Sequence, residues 1–107
     1  MTRKERRLSV QALELLAVLL ENPAEEHYGL DLGKRAGLLT GTVYPLLRRF
    51  EQTGWLESRL EDIDPSAAGR PPRVLYRLTG DGERAARAEL ARLERLLPSR
   101  RPARGLT

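Results

Sequence analysis

The chain has 107 residues, a net charge of +4, 32% charged and 40% hydrophobic residues, and no cysteine. That is enough for one small domain with a modest core, and it excludes disulfides and thiolate metal sites. No apolar run approaches the roughly 18 residues of a membrane span. No apolar segment with a small-residue cleavage site follows the basic start MTRKERRLSV, so a cytoplasmic protein is expected.

Residues 1–8, with Arg3, Lys4, Arg6 and Arg7, read as a basic N-terminal arm. Ser9 is suited to cap a helix in which Val10, Leu13, Leu16, Ala17 and Leu20 recur at helical spacing. Leu15 and Leu19 widen that apolar surface, so the helix is expected to touch more than one neighbour. Asn22-Pro23 ends it, because proline removes a donor and disfavours helix in the residue before it. In EEHYGLDLGKRAGL, Tyr28, Leu32 and Ala36 are four apart and predict a short second helix that stops at Gly37. Gly29 and Gly33 weaken this helix intrinsically, so packing has to hold it. His27, among acids, reads as a surface residue.

The stretch LLTGTVYPLLRRFEQTGW predicts a third helix, with Thr40 or Thr42 as its cap and Gly54 as its stop. Val43, Leu46, Leu47 and Phe50 follow the i, i+3, i+4, i+7 rule and define its buried face. Gly41, Pro45, Arg48 and Gln52 then point outward, flanked by Thr42 and Arg49 at one edge and Tyr44 at the other. Trp55 to Leu60 and Arg73 to Thr79 alternate and predict two strands. EDIDPSAAGRPP between them is too irregular for a two-residue turn, so a β-hairpin with a long tip is expected. Thr79 caps a last helix, GDGERAARAELARLERLL, with a stripe of Ala86, Leu90, Leu93 and Leu97. Ion pairs such as Glu83–Arg87 and Glu89–Arg92 lie opposite the stripe. Pro98 ends the helix, and SRRPARGLT reads as a loose basic tail.

Helix, helix, helix, strand, strand, helix is the order of a winged helix-turn-helix, an α+β fold that is mostly α. The expected division is a basic arm at 1–8, a winged helix-turn-helix DNA-binding domain at 9–79, a C-terminal dimerisation helix at 80–97 and a basic disordered tail at 98–107. The pI of about 10.1 favours a polyanionic partner. All cations except Lys4 and Lys34 are arginine, however, a bias that a GC-rich coding sequence produces without any DNA contact.

Three pieces in order, YGLDL from Tyr28, GTVYPLLRRFEQTGWLES from Gly41 and GRPPRVLYRLTGDG from Gly69, resemble the PadR-like transcriptional regulators. The likeness spans roughly residues 9 to 97, and the short chain with one helix after the wing is similar to the short subfamily. The resemblance implies a homodimeric bacterial transcription factor, usually a repressor. It departs from the common pattern in the acidic residues Glu57, Glu61, Asp62 and Asp64 of the hairpin, close to where DNA should pass.

On this reading Thr42, Tyr44, Arg48 and Arg49 meet DNA from the third helix, whose N-terminal end suits phosphates and base edges. The bland alternative is that the arginines only solvate a surface helix and Tyr44 packs at a boundary. Lys34, at the end of the second helix, suits a phosphate or simply the helix dipole. Arg70 and Arg73 in GRPPR suit a minor groove; the alternative is a solvated turn in which Arg73 and Arg77 pair across the hairpin with Glu57, Glu61 or Asp62. The leucine stripe of the last helix has to be covered. A homodimer burying Leu90, Leu93 and Leu97 against Leu13, Leu16 or Leu20 is expected, the alternative being a fold-back on its own domain.

The partners expected are thus double-stranded operator DNA and a second copy of the chain. No cofactor, metal, membrane or catalytic group is anticipated: one histidine and no recognisable triad or phosphate loop offer neither a metal site nor a reaction. Many members of the family respond to small aromatic compounds at the dimer interface, but the last helix here carries no aromatic residue, so no residue supports an effector. The alternative function is a winged-helix protein–protein interaction module, which the acidic hairpin favours.

Overall fold

The computed structural model describes residues 7–98. It runs α1 (Val10–Glu21), β1 (His27–Tyr28), α2 (Gly29–Ala36), α3 (Thr40–Thr53), β2 (Leu56–Leu60), α4 (Pro65–Ala68), β3 (Val74–Leu78) and α5 (Gly80–Arg95). This is the winged helix-turn-helix expected, with two added elements: the short strand β1 and the single turn α4 inside the hairpin tip. Most of the anticipated arm and tail, residues 1–6 and 99–107, lies outside the described residues.

The Ser9 hydroxyl accepts a hydrogen bond from the Ala12 amide at 3.1 Å and starts α1 as expected. The inward face of α1 is Ala12, Leu15, Leu16 and Leu19, with Val18 beside them. The stripe predicted from Val10 is therefore misassigned. Val10 is 68% exposed, Ala17 is exposed, and Leu13 and Leu20 are only half-buried. Helix α1 carries two overlapping apolar stripes at helical spacing, and which one faces inward is set by α2, α3 and α5, all of which pack on it. Periodicity alone does not choose between them.

Two readings around the second helix are corrected. Tyr28 is not on a helical stripe; it lies in β1 and is the N-cap of α2. His27 is not on the surface but buried, 6% exposed. Both follow from β1 pairing antiparallel with β3 (His27 with Tyr76, Tyr28 with Leu75), which makes a three-stranded sheet of order β1-β3-β2. A two-residue strand has no period of its own, so only its partner reveals it.

Helix α3 buries Val43, Leu46, Leu47 and Phe50, the face its spacing predicted. Neither Thr40 nor Thr42 caps it. The N-cap is Leu39, which makes no side-chain cap bond, and Pro45 is the sixth helical residue. Gly54 ends the helix at φ 88°, and the Trp55 ring returns to lie 5.6 Å from the Phe50 ring. In the hairpin, β2 and β3 pair from Leu56–Leu78 at the base to Leu60–Val74 near the tip. Burial fades along the same path. Leu56 and Leu78 are in the core, Tyr76 is half-buried, and Leu60 and Val74 are exposed, because the helices cover only the base of the wing.

One junction ties these parts together. The Thr79 hydroxyl donates to the Gly54 carbonyl at 2.7 Å and accepts from the Gly82 amide at 2.9 Å. The Thr79 amide donates to the Trp55 carbonyl at 3.0 Å. Gly82 then packs so closely on the Trp55 backbone that a Cβ there would lie 2.0 Å from the Trp55 carbonyl oxygen. The end of α3, the base of the wing and the start of α5 thus share one set of backbone contacts. Gly82→Ala is expected to destabilise the fold by about 3 kcal/mol or more, since a backbone oxygen cannot swing aside. Gly80→Ala, whose nearest neighbours are the flexible end of Arg84 at 3.6 Å and beyond, should stay within about 0.5 kcal/mol of the parent. Equilibrium denaturation of the two variants measures the contrast.

Candidate nucleic-acid interface

Helices α2 and α3 form the helix-turn-helix, and Gly29 at the start of α2 sets how Tyr44 sits on it. A Cβ at Gly29 would lie 2.6 Å from Tyr44 Cε1. The Tyr44 ring therefore packs along bare backbone, held in place while 41% exposed. Beyond it, Tyr44, Pro45, Arg48, Arg49 and Gln52 line an open depression of about 520 Å³ on the outer face of α3. On its other side Tyr44 lines a cavity of about 290 Å³ with Tyr28, Gly29, Leu30, Arg73, Val74 and Tyr76. A third hollow of about 190 Å³ shares Tyr28, Leu30 and Arg73 with that cavity and adds Asp31 and Lys34.

Through these shared walls the structure joins Lys34, Arg73, Tyr44, Arg48 and Arg49 into one surface. Thr42 lines none of these three hollows; it is half-buried in the first turn of α3, with its amide donating to the Leu39 carbonyl at 2.9 Å. Burial pushes the Tyr76 phenol above its ordinary pKa, and the neighbouring Glu51 and Tyr44 add to the rise while Arg48 opposes it. Tyr76 thus stays a neutral hydrogen-bonding group beside the cations.

The arginines divide by partner. Arg59 is held by Glu26 at 2.6 Å and Arg77 by Glu57 at 2.7 Å. Arg87 pairs with Glu83 at 2.7 Å and Arg92 with Glu89 at 3.2 Å; Arg84 pairs with Asp81. Among the described residues Lys34, Arg48, Arg49 and Arg73 form no such ion pair with a carboxylate. The Arg73 guanidinium instead lies 4.6 Å from the centre of the Tyr28 ring, a cation–π contact that steadies it without neutralising it.

Arg70 stands apart from that surface. Its guanidinium donates to both oxygens of Glu61, at 2.8 and 3.1 Å. Glu61 also accepts from the Tyr28 hydroxyl at 2.9 Å and from the Arg73 amide at 3.1 Å. The Arg70 hydrogen bonds are the main cause that holds the Glu61 carboxyl down at about 2, with the Tyr28 and Arg73 bonds adding to it against partial burial. The acidic run is thereby largely used inside the wing. Glu57 pairs with Arg77, Glu61 fastens Arg70 and β1, and Asp64 caps α4 by accepting from the Ser66 amide at 3.0 Å.

On the opposite side, α5 packs on α1 and against β3. Ala86 is buried and Leu90 and Leu93 are half-buried, while Leu96 and Leu97 are exposed. The fold-back alternative thus holds for the first turns of α5 and not for its end. Leu16 is corrected as an interface candidate, because it is fully buried in the chain's own core and has no surface to offer.

Sequence reasoning did not single out Tyr28 as part of this surface, nor the exposed Leu39 at the start of α3. Tyr28 had no local signal, because its place depends on the pairing of β1 with β3. Leu39 had none, because an apolar residue next to a buried face reads as core.

A model of the transcriptional regulator PadR-like family matches residues 15–88. No curated protein sequence matches significantly. The fold is similar to that of the PcaV transcriptional regulator from Streptomyces coelicolor, solved with its natural ligand (23% identity, TM-score 0.65, 95% of this chain and 69% of that one). It is similar to reduced AbfR bound to DNA (22% identity, TM-score 0.67, 85% of this chain and 60% of that one). It is also similar to a PadR-like transcription factor from Bacteroides fragilis (29% identity, TM-score 0.64, 82% of this chain and 84% of that one). The first two likenesses concern the fold alone, and the chain spans less than two thirds of the AbfR chain. No helix among the described residues is long and apolar enough to cross a membrane.

The Glu61 cluster carries a pH signature. A carboxyl whose pKa is lowered by folding stabilises the fold fully above its unfolded value, roughly 4.3, and that contribution is lost as the pH falls toward about 2. Glu61→Gln should therefore lower the melting temperature at pH 7, and the gap from the parent should close between about pH 5 and 2. Melting curves of both proteins that stay parallel over this range would contradict the assignment.

Proposed function

The chain belongs to the PadR-like family of transcriptional regulators, and from that premise we propose that it is a sequence-specific DNA-binding repressor that works as a homodimer on a palindromic operator. The observation that carries this reading is the sorting of cations. The arginines of the wing strands and of the first turns of α5 are paired, whereas Arg48, Arg49, Arg73 and Lys34 keep their charge on one continuous surface with Tyr44. Leaving cations unpaired does little for a monomer, but it supplies the phosphate-neutralising groups on which DNA affinity depends.

In this reading α3 enters the major groove, with Tyr44 and Thr42 at its leading end and Arg48 and Arg49 on base edges or phosphates. Arg73 and Lys34 meet the adjacent backbone. Arg70 holds the wing in shape rather than entering the minor groove, since its charge is met by Glu61. The acidic hairpin that favoured a protein-binding module is internally neutralised at Glu57 and Glu61, and with it the support for that alternative falls away. The second apolar stripe of α1 (Val10, Leu13, Ala17, Leu20) and the outer end of α5 (Leu90, Leu93, Leu97) are what a second copy would cover, setting two α3 helices about one DNA turn apart.

The test is binding to the promoter of the chain's own gene. A shift at low salt that weakens steeply with added salt is expected. Exchange of both Arg48 and Arg49 for Glu should cut affinity by about 100-fold without changing the fold, because both are exposed. No shift by the pure protein at low salt would sink the proposal. For the dimer, sedimentation should give twice 12.1 kDa, and Leu93→Glu combined with Leu97→Glu should return the protein to a folded monomer. A parent protein that sediments as a monomer at micromolar concentration would contradict it.

A further inference from the structure

From Ala36 to Leu47 the chain reads AGLLTGTVYPLL, with no charged or amide side chain. This stretch is the turn and the leading half of α3. The first ionic group, Arg48, stands about 12 Å along the helix from Thr40 at 1.5 Å per residue. The side chains that usually read base edges, Arg, Lys, Asn and Gln, are therefore missing from the end of α3 that reaches deepest in a helix-turn-helix.

Leu39 occupies that end. It is 81% exposed, more than any other large hydrophobic residue among those described. It also sits at the N-cap, where Ser9, Asp64 and Thr79 of α1, α4 and α5 each supply an acceptor and Leu39, like Tyr28 at the start of α2, supplies none. An apolar side chain in water at the place of a cap forgoes a stabilising bond and gains nothing inside the chain. Its use therefore lies with something outside. The helix it begins carries Tyr44, Arg48 and Arg49 on its outer face, which points to DNA. In the major groove the only apolar group that distinguishes one base pair from another is the thymine 5-methyl.

We infer that Leu39 is a specificity-determining residue that packs on a thymine 5-methyl group at a fixed position of each operator half-site. This inference rests on the DNA-binding reading of α3 and adds to it the chemical group that is read. Recognition at the leading end of α3 is then by methyl burial and shape, with hydroxyls from Thr40, Thr42 and Tyr44, while Arg48 and Arg49 act further back.

The experiment selects bound duplexes from a random library with the parent protein, then replaces each thymine of the enriched half-site by deoxyuridine, which lacks only the methyl group. One position should weaken parent binding about 4-fold per half-site, or about 16-fold when both are replaced, as expected for burying one methyl group. With Leu39→Ala the ratio of thymine to deoxyuridine affinity at that position should fall to near one, and Leu39→Met should restore it. The exposure of Leu39 leaves the melting temperature of both variants near that of the parent. A parent protein indifferent to every deoxyuridine overturns the inference, as does a Leu39→Ala variant that keeps the parent's ratio; in either case the DNA-binding reading stands. A parent protein that enriches no sequence overturns both.

Discussion

The contact on which the rest of this structure depends is the close seating of Gly82 on the Trp55 carbonyl, with the Thr79 hydroxyl bridging Gly54 and Gly82. At this point the recognition helix has just ended, the wing has just closed and α5 is beginning. A side chain at position 82 would push α5 away from the end of α3. Since these bonds join backbone to backbone, with one hydroxyl between, the angle between α3 and α5 is set with little freedom. In the proposed dimer held through α5, that angle would set the separation of the two α3 helices.

The cationic surface shows a second constraint, the separation of charges that build from charges that are left over. Glu61 gathers four donors and thereby fastens β1, the wing tip and Arg70 to one another. Its low pKa is a sign of how completely the carboxylate is satisfied. Arg73, three residues from Arg70, contributes only its amide to that cluster and keeps its guanidinium over the Tyr28 ring. Two arginines of one short motif thus take opposite parts, and the difference comes from which guanidinium is turned to Glu61.

The fold was largely legible because its helices and hairpin each carry a period. Val43, Leu46, Leu47 and Phe50 announced the inner face of α3, and Ser9 and Thr79 announced two helix starts, through local rules that hold wherever the chain goes. The legible part of the cationic surface came from the same source: once the inner face of α3 is known, Tyr44, Arg48 and Arg49 must lie elsewhere. Tyr28 and His27 were misplaced because β1 is two residues long and exists only through β3. Leu16 was misassigned to a dimer interface because α1 carries two apolar stripes and nothing local says which is covered.

The sequence by itself determined the order of the four long helices and the two hairpin strands, the inner face of the recognition helix, the caps at Ser9 and Thr79 and the family, since each rests on neighbours along the chain. Tertiary structure alone decided which stripe of α1 is core, that Arg70 pairs with Glu61 while the Arg73 guanidinium lies over Tyr28, that Gly29 makes room for Tyr44, and that Leu39 is uncovered at the leading end of α3. Each of these depends on groups brought together from distant positions, and charge pairing and burial take their sign from distance in space, which spacing along a chain does not encode.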